Sequence, residues 1–198
     1  MPRLGMEPLR RAALIDAAIA EIGAARSLDV TVSGIARRAG VSSGLAHHYF
    51  GGKGDILLAA MRHVLKVFAG EVLTRLADAK TPRDRLLAVI RASFAPSNFQ
   101  PDTIAAWVIF YVLALSSPEA ARLLRVYRKR LRSNLLHELR PLLGAGAPDA
   151  ADRLAALIDG LYLHHAADAD SEAAVTQVFA ALAREIGDGT MTEVRTVS

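Results

Sequence analysis

Residues 31–50 read TVSGIARRAGVSSGLAHHYF, and this stretch decides the fold. In its first half, apolar side chains recur three or four positions apart, which is the period of a helix with one buried face. Gly40 then supplies the backbone freedom of a tight turn, and Ser42 is a suitable cap for a second helix that continues to Phe50. Two short helices joined in this way predict a helix-turn-helix, whose second helix enters the major groove of DNA.

Small and polar side chains occupy the positions where such a unit meets DNA. Ser43 and Gly44 are small enough to let the front of the second helix enter the groove. Behind them, His47 and His48 can reach base edges or phosphates. Lys53 opens the following helix, whose free N–H groups would hold a phosphate together with the lysine ammonium. The predicted DNA-binding residues are Thr31, Ser33, Arg37, Ser42, Ser43, Gly44, His47, His48, Tyr49 and Lys53. The alternative is that the two short helices only change the direction of the chain in a helical bundle and do not bind DNA.

The rest of the chain is also predicted to be helical, because strand patterns are almost absent and Pro and Gly divide it into segments. Thr81-Pro82-Arg83-Asp84 predicts a capping box at one helix start. The buried stripe of the first helix is predicted to contain Ala12, Ile15, Ile19 and Ile22. The predicted helices cover residues 8–25, 32–39, 42–50, 53–79, 82–94, 102–115, 118–143, 149–167 and 171–186.

The prediction is therefore an all-α protein of about nine helices. Residues 1–53 form an N-terminal three-helix DNA-binding domain, with the helix-turn-helix at about 31–50. Residues 54–187 form a C-terminal helical bundle for effector binding and dimerisation. The tail 188–198 is predicted to be disordered.

The amino-acid composition excludes several classes of protein. The chain has 198 residues, 52% of them hydrophobic, and its net charge is +4. Residues 1–53 contain seven Lys or Arg against four acidic residues, so three of the four excess positive charges lie there. The absence of cysteine excludes disulfides and thiolate chemistry. The N-terminus lacks the apolar run of a secretory signal, and no apolar stretch is long enough for a membrane span. A cytoplasmic protein without a membrane partner is expected.

The run IARRAGVSSGLAHHYFGGKGDIL, residues 35–57, resembles the signature of the TetR family of transcriptional repressors. MPRLGMEPLRR at the start and LAALIDGLYL near the end are similar to the members that control choline and glycine betaine genes. The resemblance implies a homodimer that binds palindromic operator DNA and is released by its effector, choline. Three residues depart from the family pattern: Arg26 replaces a glycine that usually closes the first helix, His47 a common Tyr, and Tyr162 a frequent Trp.

Aromatic residues in the second half suggest where an effector would bind. Trp107, Phe110 and Tyr111 lie three or four positions apart and form a patch on one helix. The patch is either a core stripe or a cage for a quaternary ammonium group, to which Tyr127 and Tyr162 could add walls. Asp159 lies in an apolar run, where an acid directed inward needs a partner or a cationic ligand, although a solvated helix face is the alternative. The predicted ligand-binding residues are Trp107, Phe110, Tyr111, Tyr127, Asp159 and Tyr162.

Apolar residues on the last two helices predict the dimer interface, as a four-helix bundle with a second copy. They are Leu154, Leu157, Ile158, Leu161, Val175, Val178, Phe179 and Leu182. The basic helix from Arg122 to Arg132 is predicted to be a solvated face.

Two alternative functions remain open. One is a sensor of the same family for another cationic or hydrophobic molecule. The other is a helical enzyme using His47, His48, His164 and His165, for which no catalytic residue pattern is found. No metal site is predicted, because adjacent histidines point to different sides of a helix.

Overall fold

The computed structural model describes residues 5–165 and 169–187. This part of the chain contains nine α-helices, one 3-10 turn at Gly144–Gly146 and no strand, which confirms the all-α prediction. The predicted disordered tail, 188–198, lies outside the described residues. The helices are α1 (Met6–Ala25), α2 (Val32–Arg38), α3 (Ser43–Phe50), α4 (Lys53–Asp78), α5 (Pro82–Ser93), α6 (Pro101–Ser116), α7 (Pro118–Leu143), α8 (Ala147–His164) and α9 (Ser171–Ile186).

The first compact unit combines residues 5–66 with residues 101–124. Helix α6 therefore packs with the N-terminal helices, mainly along α1. The close approach depends on Gly23, where an added Cβ would lie 2.7 Å from the Cα atom of Asp102. This packing boundary differs from the functional boundary predicted at residue 53, because the front of α4 and all of α6 belong to the same unit as the DNA-reading helices. The functional boundary stays a prediction.

The buried face of α1 differs from the predicted stripe. Ala12 is exposed, so the stripe prediction is wrong at this position, and Ile15 and Ile19 are half-buried. Helix α1 contacts both α2 and α6, and burial on two sides rotates and widens its apolar face relative to a one-sided pattern. The side chains and glycine that it buries are Leu14, Ala17, Ala18, Ile22 and Gly23.

The second compact unit combines residues 67–100 with 125–165 and 169–187. Its α8 packs on α9, and α9 packs on α5. The predicted capping box opens α5: the Thr81 hydroxyl accepts the Asp84 N–H at 3.1 Å, and the Asp84 carboxylate accepts the Thr81 N–H at 3.2 Å. The hydrogen bond from the Thr81 hydroxyl is the main reason why the pKa of Asp84 lies below its ordinary value.

Ion pairs connect helices at the surface of the second unit. Arg153 donates from Nε to Glu185 Oε1 at 2.7 Å and so joins α8 to α9. This hydrogen bond lowers the pKa of the Glu185 carboxyl. Arg85 reaches Glu138 at 2.6 Å and joins α5 to α7. The Arg153–Glu185 pair is largely exposed, and pairs of this kind contribute little to stability, whereas Glu138 is buried and has its charge compensated by Arg85. Packing of the apolar faces makes the main contribution to holding these helices together.

Most of the predicted dimer residues face the interior of their own chain. Leu154, Ile158, Leu161, Val178, Phe179 and Leu182 are already buried in a single copy. Within one copy, α8 and α9 bury these residues against each other and, through α9, against α5. Leu157 and Val175 are half-buried. The assignment of all eight residues to a dimer interface stays a prediction.

Candidate DNA-binding surface and effector region

Helices α2 and α3 form the predicted helix-turn-helix. The Thr31 hydroxyl accepts the Gly34 N–H at 3.0 Å and caps α2, and the Ser42 hydroxyl accepts the Leu45 N–H at 3.2 Å and caps α3. Between the two helices, Gly40 adopts a φ of 68°, a left-handed conformation that favours glycine. The turn and both caps are therefore built by the residue types that the sequence pattern singled out.

Helix α3 has one face in the core and one face in solvent. Ala46 and Phe50 are buried, and Leu45 is half-buried. The opposite side, which consists of exposed residues, is called the outer face of α3 and comprises Ser43, Gly44, His47 and His48. Its small front end and its two imidazoles are suited to a groove with hydrogen-bonding base edges and flanking phosphates.

His47 has a defined orientation within this face. Its Nδ1 lies 2.9 Å from the Gly51 carbonyl oxygen. Because a carbonyl can only accept, Nδ1 must carry the proton, and Nε2 is left as the group that can meet a ligand. The His48 ring lies beside the Tyr49 ring, with centroids 5.6 Å apart.

The other predicted DNA-binding residues lie in the same unit. Thr31, Ser33, Arg37 and Ser42 are exposed, while Tyr49 and Lys53 are half-buried. Sequence reasoning missed a further contact here: Arg11 of α1 donates from Nη1 to the Tyr49 carbonyl oxygen at 2.6 Å. A contact between residues 38 positions apart leaves no signal in local spacing.

The predicted effector residues fall into two sets, one in each compact unit. In the first unit, Trp107 and Phe110 are buried and Tyr111 is half-buried on α6. The Trp107 and Tyr111 ring centroids are 6.4 Å apart with the planes tilted by 44°. Phe110 has no exposed surface, as a core side chain would. The use of this patch as a cage stays a prediction.

In the second unit, Asp159 has protein partners. The Tyr127 hydroxyl donates to Asp159 Oδ1 at 2.9 Å, and Arg128 Nε lies 3.7 Å from Oδ2. The Asp159 side chain is 20% exposed. Phe68 and Tyr127 pack edge to face, with centroids 5.6 Å apart. Asp159 therefore has a hydrogen-bond donor and a nearby cation within the unit, and its part in binding a cationic ligand stays a prediction.

Tyr162 belongs to an aromatic cluster that sequence reasoning also missed. Its ring stacks on Phe94, with centroids 5.7 Å apart, and meets the edge of Phe99 at 5.2 Å. Its hydroxyl donates to the Ser93 carbonyl oxygen. Phe94 and Phe99 lie on either side of the exposed Pro96, and both are buried. Two large apolar residues so close to a helix breaker were the signal from which this cluster could have been predicted.

Two further features of the described residues concern possible metal sites and a cleft in the second unit. Within residues 5–165 and 169–187, no group of three or more His, Asp or Glu side chains is arranged to hold a metal ion. A cleft of about 250 Å³ in the second unit is lined by Arg75, Arg91 and Phe179 among others, and by none of the six predicted residues. In the same described ranges, no helix is long and apolar enough to span a membrane.

A capped helix-turn-helix with an exposed outer face on α3, joined to a helical unit, defines the class of helix-turn-helix transcriptional regulators. Residues 14–60 match the family model for bacterial regulatory proteins of the tetR family, and residues 82–187 match the model for the C-terminal part of BetI-type transcriptional repressors. The HTH-type transcriptional regulator BetI of Brucella anthropi is 49% identical over 90% of this chain and 92% of its own length. The BetI regulator of Agrobacterium fabrum is 50% identical over 83% and 81%.

The chain belongs to the TetR family of bacterial transcriptional regulators and is a BetI-type repressor. Its fold is similar to that of a transcriptional regulator from Pseudomonas aeruginosa PAO1, with a TM-score of 0.74 and 28% identity over 98% of this chain and 97% of that one. A regulator from Saccharomonospora viridis, solved in complex with choline, has a TM-score of 0.75 at 22% identity, covering 85% and 92%. These relatives are regulators, which excludes the helical-enzyme alternative.

Proposed function

We propose that the chain binds a palindromic operator as a homodimer in the cytoplasm, represses genes of choline and glycine betaine metabolism, and leaves the operator when choline binds. The outer face of α3 is the observation that carries the DNA-binding part of this proposal. Four exposed residues face outward from a helix whose opposite side is anchored by Ala46 and Phe50. A two-fold dimer would place two such helices about one DNA turn apart, on successive major grooves.

Selection of a duplex from a randomised library by the purified protein, followed by fluorescence anisotropy with the selected duplex, tests this part. Lys53→Ala should weaken binding to selected and random duplexes alike, because its ammonium group would contact a phosphate. The slope of log affinity against log salt should fall by about 0.9, the value for one lost phosphate contact. Lys66→Ala is the matched control, since Lys66 is exposed on the same helix but lies more than three turns away. An unchanged slope in Lys53→Ala would exclude the phosphate contact.

We propose that an exposed face of α8 lies at the centre of the dimer interface. Ala156, Gly160 and Leu163 are exposed and lie four and three positions apart, on one side of the helix. Leu163 is 62% exposed, and the space next to Gly160 is open for at least 4 Å. Small residues beside an exposed leucine allow a second helix to approach closely, which supports this face as the centre of a two-fold interface.

Choline as the effector is supported by the BetI-type C-terminal match and by the choline-bound regulator from Saccharomonospora viridis. In this chain, Trp107 with Tyr111 and Tyr127 with Asp159 are the groups with the chemistry for a quaternary ammonium ion. Trp107 is the single tryptophan, so intrinsic fluorescence reports on one ring of the predicted patch.

Calorimetry and tryptophan fluorescence with choline, betaine aldehyde and a bulky hydrophobic cation would test the effector. We expect choline to bind, to change the Trp107 emission and to release the selected duplex. Trp107→Ala should weaken choline binding by roughly 2- to 30-fold, the range of one cation–π contact, without changing DNA affinity in its absence. Trp107→Phe keeps an aromatic ring and should retain most of the response. Binding of the bulky cation but not of choline would identify a sensor of another molecule.

A further inference from the structure

Arg11 connects the first helix to the far end of α3. It is half-buried, and its Nη1 donates to the Tyr49 carbonyl oxygen at 2.6 Å. The same guanidinium lies over the Phe50 ring, with Cζ 4.5 Å from the centroid, and 6.0 Å from the Tyr49 centroid. One side chain therefore makes a charged hydrogen bond and a cation–π contact with the last two residues of α3.

These contacts suit the chemistry of a helix C-terminus. The last carbonyl groups of a helix lack partners within the helix and carry a partial negative charge, which a cation stabilises. A guanidinium can donate a hydrogen bond to a carbonyl in its own plane while its flat face stacks on an aromatic ring. A lysine ammonium cannot make both contacts at once. Phe50 is itself buried, so the contact ties α3 to α1 at a fixed point.

Helix α3 needs such a point because it has only eight residues. A helix of two turns is not stable in isolation, so tertiary contacts must set its position and angle. Ser42 satisfies its first turn, and Arg11 binds its last. We propose that Arg11 is a positioning residue: it fixes the angle at which the outer face of α3 meets the operator and thereby sets sequence discrimination without contacting DNA. This inference rests on the proposed function, in which α3 reads the operator.

Arg10 provides the matched control. It is the neighbouring residue with the same charge, it is exposed, and it makes no hydrogen bond or ion pair with any residue that the structure describes. Removal of either arginine lowers the positive charge of the DNA-binding unit equally. Any difference between the two variants therefore reports on the contacts of Arg11 with α3 and not on charge.

The test measures affinity for the selected duplex and for a random duplex, at several salt concentrations, for wild type, R11A, R11Q, R11K and R10A. The ratio of the two affinities is the main readout, because a fraction of unfolded protein lowers both affinities equally and leaves the ratio unchanged. We expect R11A and R11Q to lose at least 10-fold in this ratio. R11K keeps the charge and should recover only part of it, and R10A should retain the wild-type ratio.

The salt slope separates positioning from direct contact. If Arg11 positions α3, the slopes of R11A and R10A are equal. A slope for R11A that falls about 0.9 below that of R10A would mean a lost phosphate contact and would overturn the proposal. Equal affinity ratios in R11A, R11Q and R10A would overturn it as well. If wild type itself prefers no duplex, the proposed function fails, whereas a wild-type preference that R11A retains refutes only the role of Arg11. If R11A does not fold, R11Q and R11K decide the result.

Discussion

At the scale of a single residue, Arg26 carries the clearest local strain. It closes α1 with φ 48° and ψ 35°, and its N–H donates to the Ile22 carbonyl at 2.8 Å. This is the left-handed conformation, in which the Cβ of an L residue approaches a carbonyl oxygen at a cost of about 1–2 kcal/mol. Glycine at this position would have no such cost, because it lacks a Cβ. Arg26 therefore keeps the capping hydrogen bond but holds its backbone in a strained conformation.

Arg26→Gly should therefore stabilise the protein by about 0.5–1 kcal/mol. The strain energy removed from the folded state exceeds the cost of the extra conformational entropy that glycine gives the unfolded chain. Urea unfolding followed by circular dichroism measures the change. Arg26→Ala is the control: it removes the same exposed side chain but keeps a Cβ, and it should not be stabilising. If the alanine variant gains as much as the glycine variant, backbone strain is not the cause.

At the scale of elements, the contact between α1 and α6 depends on one missing side chain. A Cβ at Gly23 would lie 2.5 Å from Asp102 Oδ1 and 2.7 Å from Asp102 Cα. The carboxylate could rotate away, but the backbone atom could not. Gly23→Ala should force the helices apart and destabilise the fold by about 1–3 kcal/mol, the usual cost of overpacking.

Gly70→Ala tests the same change at a site without a packing neighbour, since no atom outside the adjoining residues and backbone of α4 lies within 4 Å of its Cβ position. That variant should be more stable than wild type by about 0.5–1 kcal/mol, because alanine favours the helix. Thermal unfolding of both variants decides the point. Stabilisation by Gly23→Ala would show that α1 and α6 do not approach as closely as the structure describes.

At the scale of the whole molecule, association and folding should depend on opposite faces of α8. Gly160→Glu adds a charged side chain on the exposed face that we propose for the interface, and Leu154→Ala empties part of the core. Gly160→Glu should shift the protein from dimer to folded monomer, since two copies of the charge would meet across a two-fold axis. Leu154→Ala should lower the free energy of unfolding by about 2–5 kcal/mol and leave the dimer mass intact.

Sedimentation equilibrium for mass and urea unfolding at one protein concentration distinguish the two effects. The single concentration matters because the stability of a dimer depends on it. A Leu154→Ala protein that is monomeric yet fully stable would support the original prediction for the interface. A Gly160→Glu protein that remains dimeric would place the interface elsewhere.

The sequence by itself determined the helices and their order, because the signals for them are local. Caps at Thr31, Ser42 and Thr81 lie within three residues of the N–H groups that they bind. Side-chain size and polarity alone predicted that Ser43, Gly44, His47 and His48 face the DNA, and all four are exposed on α3. Interactions between residues within one helical turn can be predicted from the sequence alone.

Only the tertiary structure decided which helices pack together and which apolar faces they cover. Apolar spacing shows that a helix has a buried side, but it does not show how many neighbours cover that side. For this reason the predicted stripe of α1 is wrong at Ala12, and the sequence alone does not show that Leu154 is buried within a single copy. The contact of Arg11 with Tyr49 had the same origin: it joins residues 38 positions apart, and such proximity exists only once the chain has folded.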